Sequence, residues 1–93
     1  MGKYIVEINS VVKKELISHY KSGNKATINK IEKILLELTK HPFEGEGQPE
    51  ELKHEYKGYW SRRINKKDRM VYRVQEDIVT VFVISAMGHY SDK

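Results

Sequence analysis

The sequence predicts an α+β fold, with two N-terminal helices packed on one face of a twisted antiparallel sheet. Three observations carry this. Apolar residues recur at helical spacing up to Leu38, and the period shortens towards two from Tyr56 onward. The β-rich segments are separated by "NKKD" and "QED", the lengths and residue types of hairpin turns. Hydrophobic residues make up 39% of the 93 and charged residues 32%, a globular balance that fits one domain over residues 1–93.

The first element is a short β-branched strand, "KYIVEI", at residues 3–8. Ser10 can cap a helix in which Val12, Leu16 and Tyr20 recur at four-residue intervals, and Gly23 in "KSGN" stops it. Asn24 can cap a second helix with Ile28, Ile31, Leu35 and Leu38 on one stripe, and the short connection predicts an antiparallel helical hairpin. His41-Pro42 ends that helix, because the residue before proline is pushed out of the α region. Prolines and glycines make "PFEGEGQPE" a loop. Three strands follow, "GYWSRRI", "RMVYRV" and "IVTVFVISA". The last alternates least, which suggests a central strand covered on both faces.

Charge is uneven. Lys53 to Arg73 holds eight cations (Lys53, Lys57, Arg62, Arg63, Lys66, Lys67, Arg69 and Arg73) against Glu55 and Asp68, a local +6 within a net charge of +4. Just before it, "FEGEGQPEE" holds four acids and no cation. A basic surface of this kind suits a polyanion. With no cysteine there is neither a disulfide framework nor a thiolate zinc site, and a reducing compartment is compatible. The longest nearly apolar run, Ile78 to Met87, falls far short of the ~20 residues of a membrane span. Val6 stands where a myristoylation motif wants Ser or Thr. The expectation is a soluble, unanchored cytoplasmic protein.

Chemistry narrows by elimination. The four histidines (His19, His41, His54 and His89) show no ligand spacing, and His19 and His41 read as solvated helix-end residues. No GxSxG elbow marks a nucleophile, and the glycines of "EGEGQ" lie among acids that would repel phosphate. The remaining acids, bases and cations could act on RNA without a metal, since RNA carries its own 2′-OH nucleophile. Spacing alone leaves each position open. Glu50 also fits a surface or capping acid, Arg62, Arg63 and Arg69 fit a solvated basic face, and His89-Tyr90 fits an edge histidine beside a packed tyrosine. Trp60 reads as core, and Tyr56, Tyr59 and Tyr72 as packing residues that could also stack on a base.

The run "PFEGEGQPEELKHEYKGYWSRRINKKDRMVYRV", 33 residues from Pro42 to Val74, together with the closing "HY", resembles the YoeB/Txe family of toxin-antitoxin toxins within the RelE superfamily. The resemblance implies a RelE-like fold akin to microbial ribonucleases. It implies metal-independent cleavage of mRNA in the ribosomal A site with no cofactor, silencing by a cognate YefM/Axe-like antitoxin, and assembly that extends to a homodimer. Carried residue by residue, it assigns the general base to Glu50 and phosphate contacts to Lys53 and Arg63. Transition-state stabilisation falls on Arg69, the general acid on His89, and an orienting or stacking phenol on Tyr90. Two other classes compete: a non-enzymatic ParE-like gyrase inhibitor on the same fold, and a ribosome- or RNA-binding module.

Overall fold

The computed structural model describes residues 3–88. Strand β1 (Ile5–Ile8) leads into helices α1 (Ser10–Ser22) and α2 (Lys25–Leu38). Strand β2 (Glu50–Glu51) and a 3-10 turn (His54–Tyr56) precede β3 (Tyr59–Arg63), β4 (Arg69–Gln75) and β5 (Thr80–Ser85). The five strands form one sheet in the order β1-β5-β4-β3-β2. Two helices on one sheet is the architecture expected. β5 does lie inside the sheet, but its partner β1 runs parallel to it, so the sheet is mixed rather than wholly antiparallel.

Local chemistry sets the helix ends. Asn9, not Ser10, caps α1, its side chain accepting the Val12 N–H. Gly23 closes that helix at φ 75°, in the left-handed region a glycine enters without a Cβ penalty. Asn24 caps α2 through the Thr27 N–H, as its position implied. α2 ends at Leu38, three residues before His41-Pro42, and Thr39 is its C-cap. The Thr39 carbonyl accepts the N–H groups of Lys3 and Tyr4, tying the end of α2 to the start of β1.

The core lies between the helices and one sheet face. Val12 and Leu16 from α1, and Ile31, Ile34 and Leu38 from α2, meet Met70, Tyr72, Val81 and Val83. Ile28 and Leu35 are only half-buried, and Tyr20 is exposed. His19 takes the expected place of Tyr20. It is buried, with its ring Nε2 donating to the Ala86 carbonyl at 2.7 Å, which corrects its reading as a solvated residue. A solvated role was expected because histidine near a helix end is ordinarily wet, and here a backbone acceptor makes burial affordable. Trp60 is half-buried at the edge of the core, against Phe43 with ring centroids 4.9 Å apart.

β3 and β4 each put alternate residues on opposite faces. Met70 and Tyr72 face the helices, so Arg69, Val71 and Arg73 face away, and the cross-strand register places Tyr59, Ser61 and Arg63 beside them. Between Val71 and Tyr72 the pairing with β5 shifts by one residue: Val71 stands opposite Ser85 and Tyr72 opposite Val83. This bulge bends β5 just before it ends.

Candidate active site on the helix-free face

Arg62 and Arg63, adjacent in sequence, have opposite fates. Arg62 points into the helix side and is fully buried. Its Nη1 donates to Glu37 Oε1 at 2.8 Å and to the Glu46 carbonyl at 3.3 Å. Its Nη2 donates to the carbonyls of His41 and Glu44 at 2.6 and 2.8 Å, and its Nε to the Tyr72 hydroxyl at 3.2 Å. Tyr72 in turn donates to the Pro42 carbonyl at 2.6 Å. Arg62 is therefore not part of a solvated basic face. It holds the 41–46 loop in shape, since a buried guanidinium must find acceptors for its donors. Burial raises the Tyr72 phenol above its usual range, partly opposed by Arg62, and keeps it a neutral donor to that loop.

The same loop delivers Glu50. Gly47 has φ 85°, and a Cβ there would come within 2.7 Å of the Arg63 carbonyl oxygen, so only glycine fits. Its carbonyl accepts the Arg63 N–H at 2.7 Å, which lays the loop alongside β3. Three residues on, Glu50 enters β2 opposite Ser61, an edge pairing of two residues that a loop reading of this segment does not contain. Glu46 clamps the outside of the loop to α2, with its carboxylate 3.2 Å from Lys30 and 3.3 Å from Lys33. The Lys30 ammonium, then that of Lys33, holds the Glu46 carboxyl below its ordinary value near 4.5. A carboxyl lowered on folding stabilises the native state above its unfolded pKa, and that contribution disappears as pH falls through the folded value. Glu46→Gln is thus expected to flatten the fall of the urea midpoint below about pH 4.5, and an acid limb identical to wild type would dismiss the clamp.

On the open face Glu50 Oε1 lies 3.9 Å from Arg69 Nη1, and the same Nη1 donates to Ser61 Oγ at 3.0 Å. The Arg69 side chain is 18% exposed and that of Glu50 62%. With Glu50 mostly in water, an ion pair at this distance contributes little to stability. Arg63 is exposed and stands directly across from Arg69 in the β3–β4 register, on the same face. Lys53 lies three residues beyond Glu50, beside an open hollow of about 300 Å³ lined also by Glu51, Leu52, His54 and Lys57. Two residues flanking this stretch, Gln48 (φ 52°) and His54 (φ 59°), hold left-handed backbone conformations that are strained for anything but glycine.

Glu50, Arg63 and Arg69 are thus brought to one face, while Lys53 lines a hollow to which none of the three contributes. His89 and Tyr90 lie outside the described residues. The chain ahead of them is anchored: the Arg69 N–H donates to the Gly88 carbonyl at 3.0 Å. Ser61 and Asp68 were not singled out from sequence. Ser61 had a signal, since it shares the strand parity of Arg63 and so had to point to the same face. Among the described residues no three His, Asp or Glu side chains gather as a metal site would require, and no helix is long and apolar enough to cross a membrane.

The comparisons with known proteins agree with this fold. A family model described as "YoeB-like toxin of bacterial type II toxin-antitoxin system" matches residues 11–90. Toxin YoeB of Escherichia coli O6:H1 is 38% identical over 72 residues, spanning 77% of this chain and 83% of that protein. The YoeB/ParE toxin from Agrobacterium tumefaciens superposes with a TM-score of 0.80 at 30% identity, covering 92% of this chain and 99% of the other. A Staphylococcus aureus toxin solved as a YoeB-YefM complex superposes at 0.74 with 30% identity, covering 94% and 98%. With a family match across most of its length and the same fold, this chain belongs to the YoeB-like toxins of bacterial type II toxin-antitoxin systems.

Proposed function

We propose that this toxin is a metal-independent, ribosome-dependent endoribonuclease that cuts mRNA by internal attack of a 2′-OH. The observation that carries the reading is the meeting of Glu50 and Arg69 at 3.9 Å on a helix-free, arginine-bearing sheet face. In the proposed reaction Glu50 takes the 2′-OH proton, and the 2′-oxygen attacks the adjacent phosphorus. The P–O5′ bond breaks, and the leaving 5′-oxygen receives a proton from His89. The products are a 2′,3′-cyclic phosphate and a 5′-OH. Arg69 meets the negative charge that builds on the phosphorane, Arg63 and Lys53 hold flanking phosphates, and Tyr90 orients or stacks. Glu50 is suited to the base role because it is exposed and because, among the described residues, its carboxylate has only the 3.9 Å contact with Arg69 to give up.

The Staphylococcus aureus YoeB-YefM complex supports a YefM-like antitoxin as partner. An acidic or amphipathic antitoxin segment would exploit the cations that the message requires, so the two should exclude each other.

The test is incubation with ribosomes stalled on a defined message, followed by mapping the cut and its 3′ end. A cyclic phosphate is expected, with product formation reduced by about 10²–10⁴-fold in Glu50→Gln and suppressed by saturating antitoxin. Lys25→Ala, at the first position of α2, should cut as wild type does. Intact message with wild-type protein would move the assignment to a gyrase-directed or purely binding toxin.

A further inference from the structure

The bend at the end of β5 leads into residues 86–88, of which Ala86 and Gly88 are held by side chains from distant parts of the chain. The buried Ala86 donates its N–H to Glu15 Oε1 at 2.7 Å, and its carbonyl accepts from His19 Nε2 at 2.7 Å. Glu15 and His19 are four residues apart, on one face of α1. Ser85 Oγ donates to the Met87 carbonyl at 2.9 Å. Gly88 donates its N–H to Asp68 Oδ1 at 3.0 Å and accepts the Arg69 N–H at 3.0 Å. Its φ of 84° is a left-handed value, while the space around it is open, so conformation rather than room calls for glycine there.

Asp68 is the informative member. It is only 5% exposed, and among the described residues its carboxylate has one hydrogen-bond partner, the Gly88 N–H. Asp68 also lines a hollow of about 340 Å³, and one hydrogen bond only partly offsets the withdrawal of its carboxylate from bulk water. Its backbone carbonyl already closes the β3–β4 turn by accepting from Ile64 and Asn65, so the turn does not need the side chain.

Resting on the ribonuclease reading, we propose that Asp68, backed by Glu15 and His19, is a positioning residue: it fixes Gly88 against Arg69 and so sets where the next residue in sequence, His89, delivers its proton. Asp68 precedes Arg69 directly, so one peptide unit carries both the side-chain acceptor and the backbone donor that grip Gly88. The grip ties the acid's attachment point to the group that stabilises the transition state.

Asp68→Ala is expected to lower kcat for cleavage about 10- to 100-fold, the scale of a misplacement near 1 Å, with KM changed less than about twofold. Asp68→Asn retains an acceptor oxygen and should recover most of the loss without loss of thermal stability. Asp68→Ala combined with His89→Gln should be no slower than His89→Gln alone within about twofold, because the first acts through the second. Losses that multiply, or a change in KM with kcat intact, overturn the proposal. The grip can also be read without the reaction, as hydrogen exchange of the Gly88 amide, slow in wild type and Asp68→Asn and fast in Asp68→Ala. If wild type leaves RNA uncut, the ribonuclease reading fails on that result alone, and a Gly88 amide that exchanges equally in all three proteins removes the grip as well.

Discussion

Arg62→Ala is expected to destabilise the protein by roughly 3–5 kcal/mol, the range for breaking a buried ion pair by deleting one partner. At about 4–8 °C per kcal/mol for a domain of this size, the thermal midpoint should fall by roughly 12 °C or more. The cause is specific. One side chain donates to Glu37, the Tyr72 hydroxyl and the carbonyls of His41, Glu44 and Glu46, and its removal takes a donor from each of them at once. Arg62→Lys should recover little, because an ammonium has three donors on a flexible stem where the loop is built around a planar fork of five. Thermal and urea unfolding measure this directly. A loss below 1 kcal/mol in Arg62→Ala would show that the loop keeps its shape by other means.

Arg69→Ala should do the reverse, sparing the fold and disabling the reaction. Removing one preorganised charge from a transition state costs about 10²–10³ in kcat. The fold should lose roughly 1–2 kcal/mol, less than in Arg62→Ala, since the 3.9 Å contact with the exposed Glu50 contributes little and the chief loss is the donor to the buried Ser61 hydroxyl. Arg69→Lys should fall between, keeping the charge but not the geometry that lets one guanidinium touch Ser61 and a phosphate together. Single-turnover cleavage on stalled ribosomes, paired with unfolding curves, separates the two effects. Full activity in Arg69→Ala would remove this arginine from the mechanism.

The two arginine neighbours show how far the sequence could be read. Period-two alternation already required Arg62 and Arg63 to face opposite sides. Which side held the helices depended on Met70 and Tyr72 across the sheet, and the acceptors that make burial of a charge tolerable lie 16 to 25 residues earlier, in the loop and α2. Two of the helix caps were legible because capping is local: Asn24 and Gly23 act within a turn of their own positions, whereas Ser10 was read as the α1 cap in place of its neighbour Asn9. The parallel pairing of β1 with β5 was not, because register between residues 5–8 and 80–83 leaves no mark in either segment alone. The chemical types at Glu50, Arg63 and Arg69 came from the motif, and their sharing of one face follows from strand parity. Asp68 could not have been found that way, since an acid in a hairpin turn is ordinarily a turn former. His89 and Tyr90, assigned by resemblance, belong to the proposal.

The β1–β5 pairing also bears on how the protein comes into being. Among the described residues β1 has one strand partner, β5, which is made about 75 residues after it. At 5–20 residues per second it waits roughly 4–15 s for its neighbour. Until β5 is inserted, β1 and β4 have no strand between them, and β1 cannot join the rest of the sheet. A nascent chain therefore carries β1 as an unpaired strand edge throughout that interval, open to pairing with strands of other chains.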